Sequence, residues 1–176
     1  MPVSDLHNLS DIAIEIQRIA PKTVLDLGVG FGLYGVLCRQ IIDGQNGRCA
    51  REQWEGKIYG VEAWLRYDNP AWDCYNNVRV GKSGYADVLD FDLVLMIDVL
   101  EHFSAEEGRE LLRAIVKQNK HVIVSVPNGR MDQGATFGNP YEAHRHTFNG
   151  TEEFEPYNFK LIHRSVCTVV NIEGVK

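Results

Sequence analysis

The order of patterns along the chain predicts an α/β fold, a mostly parallel sheet with helices on both faces. Three observations carry this. Seven short strand-like runs occur, and segments with helical spacing separate most of the early ones. The run from Phe91 to Ile97 closes on five unbroken apolar residues, as a central parallel strand does. A glycine loop follows directly on the first strand, Thr23 to Leu27.

The elements follow in order. Ser10 is placed to cap a helix in which Leu9, Ile12, Ala13, Ile16 and Ile19 share one face, and Pro21 stops it. After the first strand and its loop, Leu33, Val36, Leu37 and Ile41 mark the inner face of a second helix. Asp43 to Gly56 is polar and reads as a surface excursion. Lys57 to Glu62 is a strand with an acid at its end, Tyr67 to Asn77 a short irregular helix, and Val78 to Tyr85 a weak outer strand. After the central strand, Ser104 and Glu107 form a capping box for a helix that turns Leu111, Leu112, Ile115 and Val116 inward. His121 to Val126 is the fifth strand. Asn149 and Glu152 again have capping-box spacing and predict a last helix, followed by a hairpin of Phe159 to His163 and Val166 to Ile172.

The 176 residues suit one domain, and 44% hydrophobic residues can fill its core. Eighteen basic against 24 acidic side chains give a net charge of −6, which disfavours general binding to a nucleic-acid backbone. No apolar run approaches the roughly 20 residues of a membrane-spanning helix. The amino terminus lacks the pattern of a secretory signal. Cys38, Cys49, Cys74 and Cys167 are scattered without a CxxC pair, as reduced thiols of a cytoplasmic protein would be.

In parallel sheets ligands bind at the carboxyl ends of the strands. That rim collects Gly28, Glu62, Asp87, Asp98 and Asn128. In the loop, Gly28, Gly30 and Gly32 leave bare backbone for a ligand to approach. Gly30-x-Gly32-x-x-Gly35 matches the spacing of a dinucleotide fingerprint, with Glu62 on the ribose. Asp26 argues against that ligand, because a carboxylate there repels a pyrophosphate and suits a cation without phosphates.

Asp26-Leu27-Gly28-Val29-Gly30-Phe31-Gly32 resembles the first motif of class I S-adenosylmethionine (SAM)-dependent methyltransferases. Phe91 to Phe103 is similar to the fourth-strand motif of their small-molecule branch, and Val122 to Asn128 to its fifth strand. The resemblance implies a Rossmann-like, mostly parallel seven-stranded sheet. It divides the single domain 1–176 into an N-terminal helix (1–21), a cofactor-binding core (22–128) and a minimal C-terminal part (129–176). It also implies roles. Asp26, Gly28, Val29 and Gly30 would contact the methionine end of SAM, and Glu62 both ribose hydroxyls. Ala63 or Trp64 would pack on the adenine, with Asp87 at its amino group and Val88 along its edge. Asp98 and Val99 would face the methionine portion or the methyl group. His102 and His144 are the candidate catalytic bases.

The implied reaction is methyl transfer to a small-molecule acceptor. The Asn/Asp-Pro-Pro-aromatic signature of nucleic-acid amino-methylases is missing, since Asp98 is followed by Val99, Leu100 and Glu101. Arg130, Tyr141 and Arg145 suit an anionic or polyhydroxylated acceptor. His144-x-His146 has no further ligands converging in sequence, so no metal site is assigned. The small C-terminal part leaves the acceptor site open, or completed by a partner or a second subunit. The rival readings are an NAD(P)-dependent oxidoreductase and a non-catalytic methyltransferase-like scaffold.

Overall fold

The computed structural model describes residues 4–81 and 90–175. Its sheet has seven strands: β1 (Thr23–Leu27), β2 (Lys57–Glu62), β3 (Asn77–Val80), β4 (Leu93–Ile97), β5 (His121–Pro127), β6 (Phe159–Arg164) and β7 (Cys167–Glu173). They lie in the order β3-β2-β1-β4-β5-β7-β6. Strands β1 to β5 pair in parallel, and β7 makes both antiparallel pairings, to β5 and to β6. The helices are α1 (Leu9–Ile19), α2 (Leu33–Ile42) and α3 (Ala105–Gln118).

Alternation along the central strands explains the layers. Leu93, Leu95 and Ile97 of β4 pack with Ile12, Ile16 and Cys38 of α1 and α2. Val94 and Met96 point the other way, onto Leu112, Ile115 and Val116 of α3. All five residues of β4 are buried, as the unbroken apolar run predicts. Among the described residues, no helix is long and apolar enough to cross a membrane.

Several local expectations need correction. Helix α1 starts before Ser10; Asn8 stands at its N-cap and makes no side-chain cap bond. The irregular helix after β2 is two 3₁₀ turns, Leu65–Tyr67 and Pro70–Cys74. The last helix is a single 3₁₀ turn, Glu152–Phe154, capped neither by Asn149 nor by any other side chain. Pro156, two residues on, lacks an N–H and disfavours helix in the residue before it.

The excursion after α2 is anchored. Asp43 is fully buried, pairs with Arg39 and Arg48, and accepts the amides of Glu55 and Gly56. Burial alone would raise its pKa; these donors instead hold it at about 2. Glu15 of α1 does the same for the last two strands. It accepts from Lys160 of β6 at 2.9 Å and from Asn171 of β7 at 2.8 Å.

Candidate functional site

The carboxyl ends of β1, β2 and β4 open into a cavity of about 480 Å³. Of the predicted site residues, Gly28, Val29, Gly30, Glu62, Ala63, Asp98, Val99 and His102 line it. The loop after β1 turns with Gly28, Gly30 and Gly32 all at positive φ (+82°, +51° and +86°). A Cβ on Gly28 would stand 2.6 Å from Cγ2 of Val99, so glycine is required there by backbone and by space.

The loop's amides are engaged inside the protein. Those of Gly28 and Val29 donate to the Val61 carbonyl at 2.8 and 3.3 Å, and that of Gly32 to Val29 at 2.8 Å. The Gly30 amide donates to Oε2 of Glu62 at 2.8 Å, and the Trp64 amide to Oε1 at 2.9 Å. Burial raises the Glu62 pKa, and these backbone donors oppose that rise. Each carboxylate oxygen keeps acceptor capacity toward the cavity.

Asp26 departs from its expected place. It lies on the α2 side of β1, behind the cavity wall, and its Oδ2 accepts the Tyr75 hydroxyl at 2.5 Å. That hydroxyl in turn accepts the Gly35 amide at 2.9 Å. The chain Asp26–Tyr75–Gly35 therefore ties β1 to the start of α2, and Asp26 positions the loop. Burial, opposed by the Tyr75 hydrogen bond, pushes its carboxyl up to about 7. Trp64 also stands outside the lining and meets Tyr141 edge-on, ring centroids 6.2 Å apart. Asp87 and Val88 lie outside the described residues. Asn128 is turned away from the rim, bonded to Ser165 and Gly150.

At the end of β4, Asp98 takes φ +54°, an uncommon conformation for a side-chain-bearing residue. Ser125 of β5 holds it, the hydroxyl donating to Oδ1 at 2.7 Å and the carbonyl accepting the Asp98 amide at 2.9 Å. This turn aims Val99 at Gly28 and carries the chain into the 3₁₀ turn Leu100–His102.

The far wall comes from the long segment after β5. The amides of Arg145 and His146 donate to the Glu101 carbonyl at 2.7 and 3.2 Å. That clamp sets His144 beside His102, ring centroids 5.1 Å apart. His102 Nδ1 faces the Ala143 carbonyl at 3.3 Å, and His144 Nδ1 the Met131 carbonyl at 2.7 Å. Burial lowers the His102 pKa. His144 stands behind His102 and outside the lining, whereas His146 pairs with Glu153. Tyr67 joins this wall to β2's turn by donating to Glu142 at 2.8 Å. Arg145 lines the cavity and pairs with Glu107; Arg130 is out on the surface with Asp132.

Sequence reasoning missed Glu101. Its side chain is buried, and one ligating atom each from Glu101, His102 and His144 lie within 4.8 Å of one another. Burial, reinforced by the Asp98 charge, pushes its carboxyl well above the usual range. The available signal was an acid directly before His102, just past the strand that ends the rim.

No protein-family model matches the chain, and no curated protein matches it in sequence. Solved structures do. The N-terminal domain of EvdMO1, crystallised in the presence of SAH and D-fucose, is 16% identical with a TM-score of 0.67, over 98% of this chain and 85% of that one. The methyltransferase domain of bacterial CtHen1-CN is 18% identical with a TM-score of 0.60, over 96% and 100%. PigF with SAH is 13% identical with a TM-score of 0.60, over 97% and 63%. At these identities the likeness speaks for the architecture: the chain has the Rossmann-like fold of class I SAM-dependent methyltransferases.

Proposed function

We propose that the protein is a SAM-dependent methyltransferase acting on a small-molecule acceptor. The observation that carries the reading is Glu62. It is a buried carboxylate at the end of β2, with each oxygen fixed by a backbone amide and the pair turned to the cavity beside a glycine-rich loop. One carboxylate held this way accepts two vicinal hydroxyls at once, as a ribose presents them. The backbone of Gly28 and Gly30 lines the cavity where the cofactor's amino-acid end would lie, and Ala63 offers a small apolar surface to its base. SAM brings a methyl group already activated on a sulfonium sulfur. The chain's own part is to align an acceptor with that methyl and keep water out. His102, half-buried and neutral at pH 7, is placed to take a proton from an acceptor that carries one; His144 supports its ring.

The same geometry weighs against the nicotinamide reading. A pyrophosphate needs free amides at the loop and helix start. In the loop itself the amides of Gly28, Val29, Gly30 and Gly32 already have internal acceptors, as does that of Gly35 in the helix's first turn. Among the described residues, the lining includes Glu62, Asp98, Glu107, Glu110 and Glu142 against Arg145 as its one lysine or arginine. That balance favours an uncharged polyhydroxylated or cationic acceptor over the anionic one, and the D-fucose present with EvdMO1 supports the polyhydroxylated choice.

Calorimetric titration with SAM and with SAH tests the proposal. Micromolar binding of both is expected, with Glu62→Ala weakening each by about tenfold or more, the worth of a lost pair of charge-assisted hydrogen bonds. Unchanged affinity in Glu62→Ala rejects this site. Binding of NADH in place of SAM restores the oxidoreductase, and binding of neither leaves the scaffold.

A further inference from the structure

We propose that Glu101, His102 and His144 form a binding site for a first-row divalent cation in the wall of the cavity.

Three independent features converge. The first is proximity. Two imidazole nitrogens and one carboxylate oxygen lie within 4.8 Å of one another, and His144 joins the adjacent Glu101 and His102 from more than 40 positions along the chain. Ligands about 2.0–2.2 Å from one ion sit roughly 3–4 Å from each other. The spacing of up to 4.8 Å is wider than this, so the three groups would draw together on the ion.

The second feature is orientation. The Nδ1 of His102 faces the Ala143 carbonyl, and that of His144 faces the Met131 carbonyl. A carbonyl only accepts, so each Nδ1 carries the hydrogen and each Nε2 keeps its lone pair. This is how metal-binding histidines are ordinarily set: the outer nitrogen is held by a carbonyl and the inner one presented. A base acting alone needs one such imidazole. Here there are two, side by side.

The third feature is the carboxylate. Glu101 is 1% exposed, and its Oε2 is buried with no hydrogen-bond partner. Leaving a carboxylate oxygen unsatisfied inside a protein is costly. A cation at the histidine pair satisfies it directly. The clamp of Arg145 and His146 on the Glu101 carbonyl then has a purpose beyond tethering the loop, because it brings the third ligand to the other two.

The donor set indicates the ion. Two imidazoles and one carboxylate suit zinc, cobalt, manganese or iron(II), whereas magnesium and calcium prefer oxygen shells. Three protein ligands leave at least one coordination position open. His102 lines the cavity, so that position faces the space where an acceptor would lie. With the ion bound, His102 Nε2 is a ligand and not the proton acceptor, and orientation of an acceptor oxygen by the ion is the one part that rests on the methyl-transfer reading.

The test is a titration of tag-free, chelator-treated protein with Co²⁺, followed by its visible absorption, and with Zn²⁺ by calorimetry, without SAM. One equivalent is expected to bind, with negligible response to Mg²⁺. Glu101→Gln and His144→Gln should each weaken binding by about tenfold or more, and His7→Gln, at an exposed Asp5–His7 pair, should leave it unchanged. Thermal melts without metal check folding. Should Glu101→Gln fail to fold, His144→Gln on the loop still decides the matter. No binding, or binding that the site variants leave intact, overturns the proposal. Neither result bears on SAM affinity, which is measured separately on the metal-free protein.

Discussion

The two walls of the cavity are built in opposite ways. The wall at β1 and β2 is made of backbone: three glycines at positive φ, loop amides closed onto Val61 and Glu62, and a buried Asp26–Tyr75–Gly35 chain behind them. The facing wall, from residue 129 to 150, has one 3₁₀ turn, Pro140–Glu142, and no longer regular element. It is held by a bond within itself, Gln133 onto Glu142, and by bonds to distant groups, the Tyr67 hydroxyl on Glu142 and the two amides on Glu101. The first wall fits one shape of ligand; the second can be re-formed by changing a few loop residues without disturbing the sheet.

The largest effect that would test this contrast is at Gly28. Gly28→Ala puts a methyl group against Val99 on a left-handed backbone, and should cost about 1–3 kcal/mol of stability while removing measurable SAM binding. Melts and titrations that match the wild type would show that the first wall is as adaptable as the second.

A pH experiment sharpens the comparison at Asp26. Its folded pKa, about 7, stands above the usual carboxylate value near 3.9. Between these values the folded state holds more protons than the unfolded one, so this group's contribution to stability declines as pH rises from about 4 to 7, then levels. Asp26→Asn removes the dependence. Denaturant melts should show the variant gaining on the wild type by about 1–4 kcal/mol between pH 4 and 8. Asp43, held at about 2, has the opposite sign, losing its contribution only as pH falls through the acid range. A flat difference curve for Asp26→Asn would mean that the carboxyl ionises freely and does not lie behind the loop as a buried proton holder.

The smallest effect belongs to the second wall. Arg145→Ala breaks an exposed pair with Glu107, 3.4 Å apart, and should change stability by less than about 1 kcal/mol. Cofactor affinity should hold while the KM for an acceptor shifts. Equal loss of both would join the two walls into one unit.

Much of the first wall was legible because its determinants are local. The run Leu93–Ile97, the glycines after Leu27 and the Ser104–Glu107 box each specify their own conformation within a few residues, and each is found as read. Where local signals failed, a neighbour outweighed them. Asn149 and Glu152 have the spacing of a cap, but Pro156 leaves too few residues for a helix. Asp43 looked like a surface acid within a polar stretch, yet two arginines and two amides make its burial favourable.

By itself the sequence determined the sheet's central strands, the glycine turn and the acid at the end of β2, because periodicity and φ preference act over a few residues. Only the tertiary structure decided that Asp26 faces Tyr75 and not the cavity, since one residue's shift along a strand reverses the face of its side chain. Only it brought His144 to His102 and Glu101, because hydrogen bonds across some 40 residues of chain leave no periodic trace in the sequence.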